Sequence, residues 1–285
     1  MKDLLVSIIL PTHNREKTVT RALNSLFEQT YKNIEIIIIN DASTDDTGKI
    51  ISKFSKKDTR IVILNNETGL GLAESLNKGI KRATGKYIAR LDDDDFWCDK
   101  MKLEKQVDFL EKNKEYVLVG GGAKKIDKNG KELSKYLLPE RDEDIKKEIL
   151  ISNVLVHIAV LFRKEAWEKV GGYDKKFDGI EDWELWLRMG TIGKFYNLQQ
   201  FFVCYSGHQY KNPSYFDRSH KRLEMLKLVI KMKKSHRNHY PGYRKAILFC
   251  WVAYCYSFQP FKDVLLPLTL MIRKLFFGVP PYKYH

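Results

Sequence analysis

A chain of 285 residues, 44% hydrophobic and 12% aromatic, can bury a large core and is not a disordered protein. Its four cysteines (Cys98, Cys204, Cys250, Cys255) have neither CxxC nor zinc-like spacing, which argues against a disulfide framework and for a reducing compartment. The net charge of +14 gathers at the C-terminus, where 15 Lys and Arg face 3 Asp and Glu from Gln209 onward; such asymmetry suits a polyanionic partner, either nucleic acid or an anionic membrane surface.

The first apolar run, Leu4 to Leu10, stops at Pro11, too soon for a signal peptide or a membrane span. Residues 5–10, 34–39 and 61–64 are short, β-branched and almost continuously apolar, the pattern of parallel strands covered on both faces. Val19, Leu23, Leu26 and Phe27 share a helical face, as do Ile50, Ile51 and Phe54, and 73–83 is a third helix before a strand at 86–90. The first 95 residues thus read β-α-β-α-β-α-β, a doubly wound sheet.

Ligands of such sheets bind beyond the carboxyl ends of the strands. Those ends carry Pro11-Thr12-His13-Asn14, Asn40-Asp41-Ala42-Ser43 and the run Asp92-Asp93-Asp94-Asp95. Four successive carboxylates are also the composition of a solvated acidic turn, so the run alone leaves both readings open. Three polar strand ends converging on one crevice favour a site. No GxGxxG follows the first strand and no GxxxxGK[ST] occurs, which speaks against dinucleotide and P-loop sites.

Further along, 102–112 is a helix with Leu103, Val107 and Leu110 on one face, and 116–120 is a strand. A hairpin is expected around Asp127–Gly130, and a short helix at 164–170 ends at Gly171-Gly172. The segment "GIEDWELWLRMG" at 179–190 begins a helix with Glu181 and Asp182 in its first turn, where the helix dipole tolerates carboxylates. Capping plus a surface Glu184–Arg188 pair accounts for it as well as function does. Residues 217–236 form a basic helix. The apolar runs 246–258 and 264–272, flanked by Lys245, Lys262, Arg273 and Lys274, are too short to span a bilayer and suit its interface, or packing on the domain or a second subunit.

Taken together, "VSIILPTHNR" at 6–15, "IEIIIINDASTDDT" at 34–47, "GLAESLNKGIKRATGKYIARLDDDD" at 71–95, "KLEKQVDFLEKN" at 102–113, "EKVGGYDKKF" at 168–177 and "EDWELWLR" at 181–188 resemble a family 2 glycosyltransferase of the GT-A fold. The resemblance spans residues 4–210 and is strongest toward enzymes of lipopolysaccharide, capsule and exopolysaccharide synthesis. It implies a GT-A domain over 1–210, with a nucleotide-binding half (1–95) and an acceptor half (96–210), followed by a helical basic extension over 211–285.

The same resemblance implies inverting transfer of a sugar from a nucleotide diphosphate donor, UDP being commonest, to a hydroxyl of a glycan or lipid-linked acceptor. Pro11, Thr12, His13 and Asp41 match positions lining the base and ribose. Asp92 and Asp94 match the DxD pair that addresses ribose and a Mn²⁺ or Mg²⁺ ion, with Asp93 beside the donor. An extended backbone would point residues i and i+2 the same way. Asp182 matches the catalytic base, Glu181 a partner that orients the acceptor, and His208 a position that some relatives use near the metal; a structural histidine fits there equally. Where other relatives place a phosphate-reaching Arg, this chain has Leu76, and where many have Tyr it has His13. The expected setting is the cytoplasmic face of a membrane, held there by the C-terminal extension, with an oligomer left open and no nucleic acid, since a nucleic-acid site leaves the strand-end carboxylates unexplained. The competing readings are a non-catalytic nucleotide-sugar-binding relative and a sugar-nucleotide pyrophosphorylase, whose Gly-rich, Arg-containing loop "PTHNR" lacks.

Overall fold

Ile8, Leu10, Ile36 and Ile38 face one side of a sheet while Ile9, Ile37 and Ile39 face the other, and all are fully buried. Both faces being covered explains why these strands read as unbroken apolar runs. The computed structural model describes residues 4–127, 129–206 and 219–256. Strands β1 (Val6–Thr12), β2 (Ile34–Asp41), β3 (Ile61–Asn66) and β4 (Tyr87–Arg90) pair in parallel in the order β3-β2-β1-β4. Helices α1 (Val19–Phe27) and α2 (Thr47–Ser55) cover one face through Leu23, Leu26 and Ile51. Helix α3 (Leu72–Arg82) covers the other through Leu76 and Ile80. Gly79 lets α3 lie close, because a Cβ there would fall 2.6 Å from the Ile39 side chain.

The second half extends this sheet in mixed sense. Its elements are β5 (Phe96–Trp97), α4 (Lys102–Lys112), β6 (Tyr116–Ile126), β7 (Glu132–Tyr136), α5 (Asp142–Glu148), β8 (Leu161–Arg163), α6 (Lys164–Lys169), α7 (Glu181–Met189) and β9 (Lys194–Ser206). The strand order continues β4-β8-β6-β9-β5, with β7 beside β6. Strand β8 runs antiparallel to both β4 and β6 and joins the halves, while β6 and β9 are parallel. Antiparallel pairing therefore enters through β5, β7 and β8, of which the sequence pattern announced only the β6–β7 hairpin. The hairpin at Asp127 forms as expected, its carboxylate accepting the amides of Asn129 and Lys131.

The basic extension does not hang free over its described part. Helices α8 (Ser219–Ser235) and α9 (Tyr243–Tyr256) share a core with α7, to which Met232, Tyr240 and Ala246 contribute beside Leu185, Trp186 and Met189. Tyr240 donates its hydroxyl to the Leu187 carbonyl at 2.7 Å. No helix among the described residues is long and apolar enough to cross a membrane. His208 and the apolar run 264–272 lie outside the described residues.

Candidate active site

The parallel half delivers its strand ends to one crevice, and the backbone is strained where it leaves them. Asn14 follows β1 with φ 53° and Ala42 follows β2 with φ 56°, left-handed conformations that cost a non-glycine residue about 1 kcal/mol or more and cluster at functional sites. Asn14 repays part of this by accepting the Thr44 and Asp45 amides on its side-chain oxygen. Pro11 and Thr12 close β1 as buried residues, whereas His13 is exposed. His13 Nδ1 lies 2.6 Å from the Asp41 carbonyl, so that nitrogen donates and the ring is fixed across the ends of β1 and β2.

Asp41 is more constrained than a simple partner for a base would be. Its Oδ1 accepts from Asn66 Nδ2 (2.6 Å) and the Leu70 amide (2.8 Å), and its Oδ2 from the Gly71 amide (3.1 Å). Gly71, at φ 84°, turns its amide inward in a conformation closed to most side chains. Burial alone would raise the Asp41 pKa, but the Leu70 amide, Asn66 and the Gly71 amide outweigh it and hold the carboxyl below its usual range. The Ser75 hydroxyl adds to these donors, so the carboxylate is held in a set orientation by its neighbours.

The aspartate run is a turn rather than an extended stretch, which corrects the i, i+2 geometry expected for it. The Asp95 amide donates to the Asp92 carbonyl at 3.3 Å. The carboxylates consequently differ in their partners, although Asp93 and Asp94 both face Arg15. Asp92 pairs with Arg90 Nη2 at 2.5 Å. Asp93 accepts the His13 amide (3.2 Å) and lies 3.4 Å from Arg15 Nε. Asp95 accepts the Ser206 amide (3.2 Å) at the end of β9. Asp94 is the least engaged, 3.9 Å from Arg15, with its carbonyl taken by Arg21 (2.6 Å). Arg15, Arg21 and Arg90 compensate only partly. Burial and neighbouring carboxylates push Asp93 up to about 7 and Asp95 up to about 8, and raise Asp94 as well. Asp92 and Asp94 keep 34% and 29% of their side chains exposed. A turn that crowds carboxylates and leaves two of them accessible suits a hard divalent cation, which binds oxygen ligands and keeps coordination positions for water or phosphate.

A second acidic group lies behind Arg90, at the start of α7. Glu181 is buried and accepts the Gly179 amide at 2.7 Å. Asp182 accepts Asn153 Nδ2 on Oδ2 (2.8 Å) and the Trp183 amide on Oδ1 (2.7 Å), and keeps 18% of its side chain exposed. Burial and the Asp182 charge push Glu181 up to about 7, against the pull of Arg90. Burial also raises Asp182, resisted by the Trp183 amide, Arg90 and Asn153. One ligand atom each of His157, Glu181 and Asp182 lies within 4.8 Å of the others. Because Glu181 and His157 are buried and the Arg90 guanidinium acts on all three groups, this cluster suits proton transfer better than a hard cation.

The side chains of this arrangement not singled out in the sequence are Arg15, Arg21, Arg90, Asn66, Ser75, Asn153 and His157. Arg90 carried a visible signal, a charge ending the apolar strand Tyr87-Ile88-Ala89. Leu76 is fully buried in the core between α3 and the sheet, so it is a packing residue. Arg15, with its side chain 32% exposed beside Asp93 and Asp94, is far more open than Arg90, at 4%.

The profile of glycosyl transferase family 2 matches residues 7–171. The Escherichia coli glucosyltransferase WfgD is 31% identical over 204 residues, covering 72% of this chain and 77% of its own. The amylovoran biosynthesis glycosyltransferase AmsE of Erwinia amylovora is 32% identical over 191 residues, 66% and 71% of the two chains. Among solved structures, S. aureus TarS 1–349 in complex with UDP-GlcNAc superposes with a TM-score of 0.70 at 18% identity, over 95% of this chain and 78% of that one. The mannosyltransferase PcManGT of Pyrobaculum calidifontis, in complex with GDP-Man and Mn²⁺, gives 0.62 at 18% identity, over 94% and 74%. The parallel sheet with its crevice of strand-end carboxylates is thus a GT-A fold, and the chain belongs to glycosyl transferase family 2.

Proposed function

We propose that the protein transfers a sugar, with inversion, from a nucleotide diphosphate donor to an acceptor hydroxyl in cell-surface polysaccharide synthesis. The observation that carries this reading is the pair of acidic groups on either side of Arg90, one accessible at the crevice and one largely buried. The base would lie against His13 and the Asp41 carboxylate, with Pro11 and Thr12 as the floor. UDP is the favoured donor, in keeping with the UDP-GlcNAc held by TarS and the UDP-Glc named for WfgD; the GDP-Man of PcManGT keeps the base open to test.

Asp94 and Asp92 would hold Mn²⁺ or Mg²⁺, with Asp93 and Arg15 beside the diphosphate. A bound divalent cation supplies charge neutralisation to the departing diphosphate. The acceptor oxygen forms its bond to the sugar C1 from the face opposite the diphosphate. The C1–O bond to the diphosphate breaks, its electron pair leaves with the phosphate, and Asp182 takes the hydroxyl proton. Glu181, buried and held by the Gly179 amide, is suited to orient the acceptor. The acceptor is a glycan or a lipid-linked sugar, the latter in line with the diphosphoundecaprenol acceptor named for WfgD. Exposed Leu223, Leu248 and Trp251 among the lysines of α8 and α9 support peripheral attachment to a membrane.

Incubation with a panel of UDP- and GDP-sugars, with Mn²⁺ and then with chelator, tests the activity through donor turnover. No metal-stimulated turnover of any donor would overturn it. Trp251→Glu with Leu248→Glu should release the protein from anionic vesicles while leaving the α7 core intact; unchanged sedimentation would remove the membrane assignment.

A further inference from the structure

Behind the proposed base runs a line of polar side chains that donor binding does not use. Tyr173 follows the helix stop at Gly172, and its backbone is clamped on both sides by Asn77 of α3: the Tyr173 amide donates to Asn77 Oδ1 (2.9 Å), and Asn77 Nδ2 donates to the Tyr173 carbonyl (2.8 Å). Arg188 of α7 fixes the same loop by donating to the carbonyls of Val170 and Gly172. The buried Tyr173 hydroxyl therefore has a set position, 2.7 Å from Nε2 of the buried His157. The other ring nitrogen, Nδ1, faces Asp182 Oδ2 at 3.8 Å, outside hydrogen-bond distance, so it acts on the carboxylate through its N–H dipole. The Trp186 indole packs perpendicular to the imidazole with centroids 5.6 Å apart.

The tautomer follows from these neighbours. A nitrogen lone pair aimed at a carboxylate would be repelled, so Nδ1 carries the hydrogen and Nε2 accepts from the Tyr173 hydroxyl. Burial, then Glu181, Asp182 and Asp92 nearby, keeps the Tyr173 phenol protonated and able to donate, against the pull of Arg90. Burial and the Arg90 charge keep His157 neutral, so it is no competing proton sink. We infer that His157, locked by Tyr173, is a positioning residue that presents Nδ1–H to Asp182 and, with Asn153, fixes the carboxylate toward the acceptor hydroxyl. This rests on Asp182 being the base. The charged and titratable groups around that carboxylate are Glu181 on its own helix, Arg90 from β4, His157, and Tyr173 from the loop after α6.

The test has a substrate-free arm and a kinetic arm. In the ¹⁵N-histidine NMR spectrum of the full chain, His157 should be the Nδ1–H tautomer, and Tyr173→Phe should shift it toward a mixture. An Nε2–H tautomer in the wild type would overturn the inference whatever the activity. In the kinetic arm, His157→Leu should lower kcat about 10- to 100-fold with donor KM unchanged, the scale of loss when a group orienting a functional ligand is removed. His157→Asn, whose amide nitrogen can occupy the place of Nδ1, should stay within about threefold of wild type. A purely structural histidine predicts the opposite order, because leucine suits a buried site better than asparagine. Should His157→Leu not fold, Tyr173→Phe carries the kinetic test, with a kcat loss of about 3- to 10-fold expected and no change overturning the inference. Wild-type kcat in Asp182→Asn, alongside the Nδ1–H tautomer, would instead remove the base assignment and this inference with it.

Discussion

The four aspartates after β4 and the two carboxylates opening α7 are chemically alike and held in opposite ways. The first group sits on a turn at the crevice, fanned toward Arg15, Arg90, the His13 amide and the Ser206 amide, with Asp92 and Asp94 open to solvent. The second lies on the first turn of a packed helix, its oxygens taken by Gly179, Trp183 and Asn153. Arg90, fully enclosed, stands between them and carries the charge of both. The difference teaches that environment, rather than residue type, separates a cation site from a base.

The comparison breaks most sharply at Asp182. Asp182→Asn should lower transfer by about a thousandfold, within the range for loss of a general base, measured as kcat with saturating donor and acceptor; a loss under tenfold would move the base elsewhere. Asp94→Asn should lower transfer by about a hundredfold at fixed Mn²⁺ and shift the metal activation curve to higher concentration. If the curve stayed in place with the loss intact, Asp94 would act on the sugar rather than a cation. Arg90→Met leaves Asp92 and the two α7 carboxylates without the cation between them. Full burial of such a pair would cost about 3–5 kcal/mol, and the partly exposed Asp92 reduces this to about 2 kcal/mol, read from urea midpoints. A stability change near zero would mean the two groups are not coupled through it.

The smallest effect concerns pH. Asp93, Asp95 and Glu181 have folded-state pKa values raised to about 7, 8 and 7. Their contribution to stability is therefore full below the ordinary carboxylate range and is lost as pH rises through 7 to 8. With chelator present, the melting temperature should fall by a few degrees between pH 6 and 8.5, and Asp93→Asn should flatten that slope. A slope unchanged in Asp93→Asn would place the titration elsewhere.

Much of this was legible in the sequence, for physical reasons that also set the limit. Unbroken isoleucine runs announced β1 and β2 because both faces are covered, and Gly171-Gly172 marked the end of α6. The strand-end rule then found His13, Asp41 and the aspartate run without any contact information. What escaped were groups defined by convergence across the chain: Asn66 on Asp41, Asn153 and His157 on Asp182, Arg15 on Asp93. Nothing local to Asn153 or His157 signals a partner some 25 or more residues away. The run itself was misjudged in shape, since a hydrogen bond from the Asp95 amide to the Asp92 carbonyl folds it into a turn. The basic extension was read from charge and apolar runs, and its packing on α7 depends on Tyr240 and Met232, which carry no such mark.

The division of labour between the two acidic groups is tested most directly by titrating UDP with Mn²⁺ into Asp182→Asn and Asp94→Asn in a calorimeter. Asp182→Asn should bind the nucleotide with wild-type affinity while Asp94→Asn loses the metal-dependent part of binding. Equal weakening in both variants, or loss confined to Asp182→Asn, would contradict the assignment of cation and base to opposite sides of Arg90.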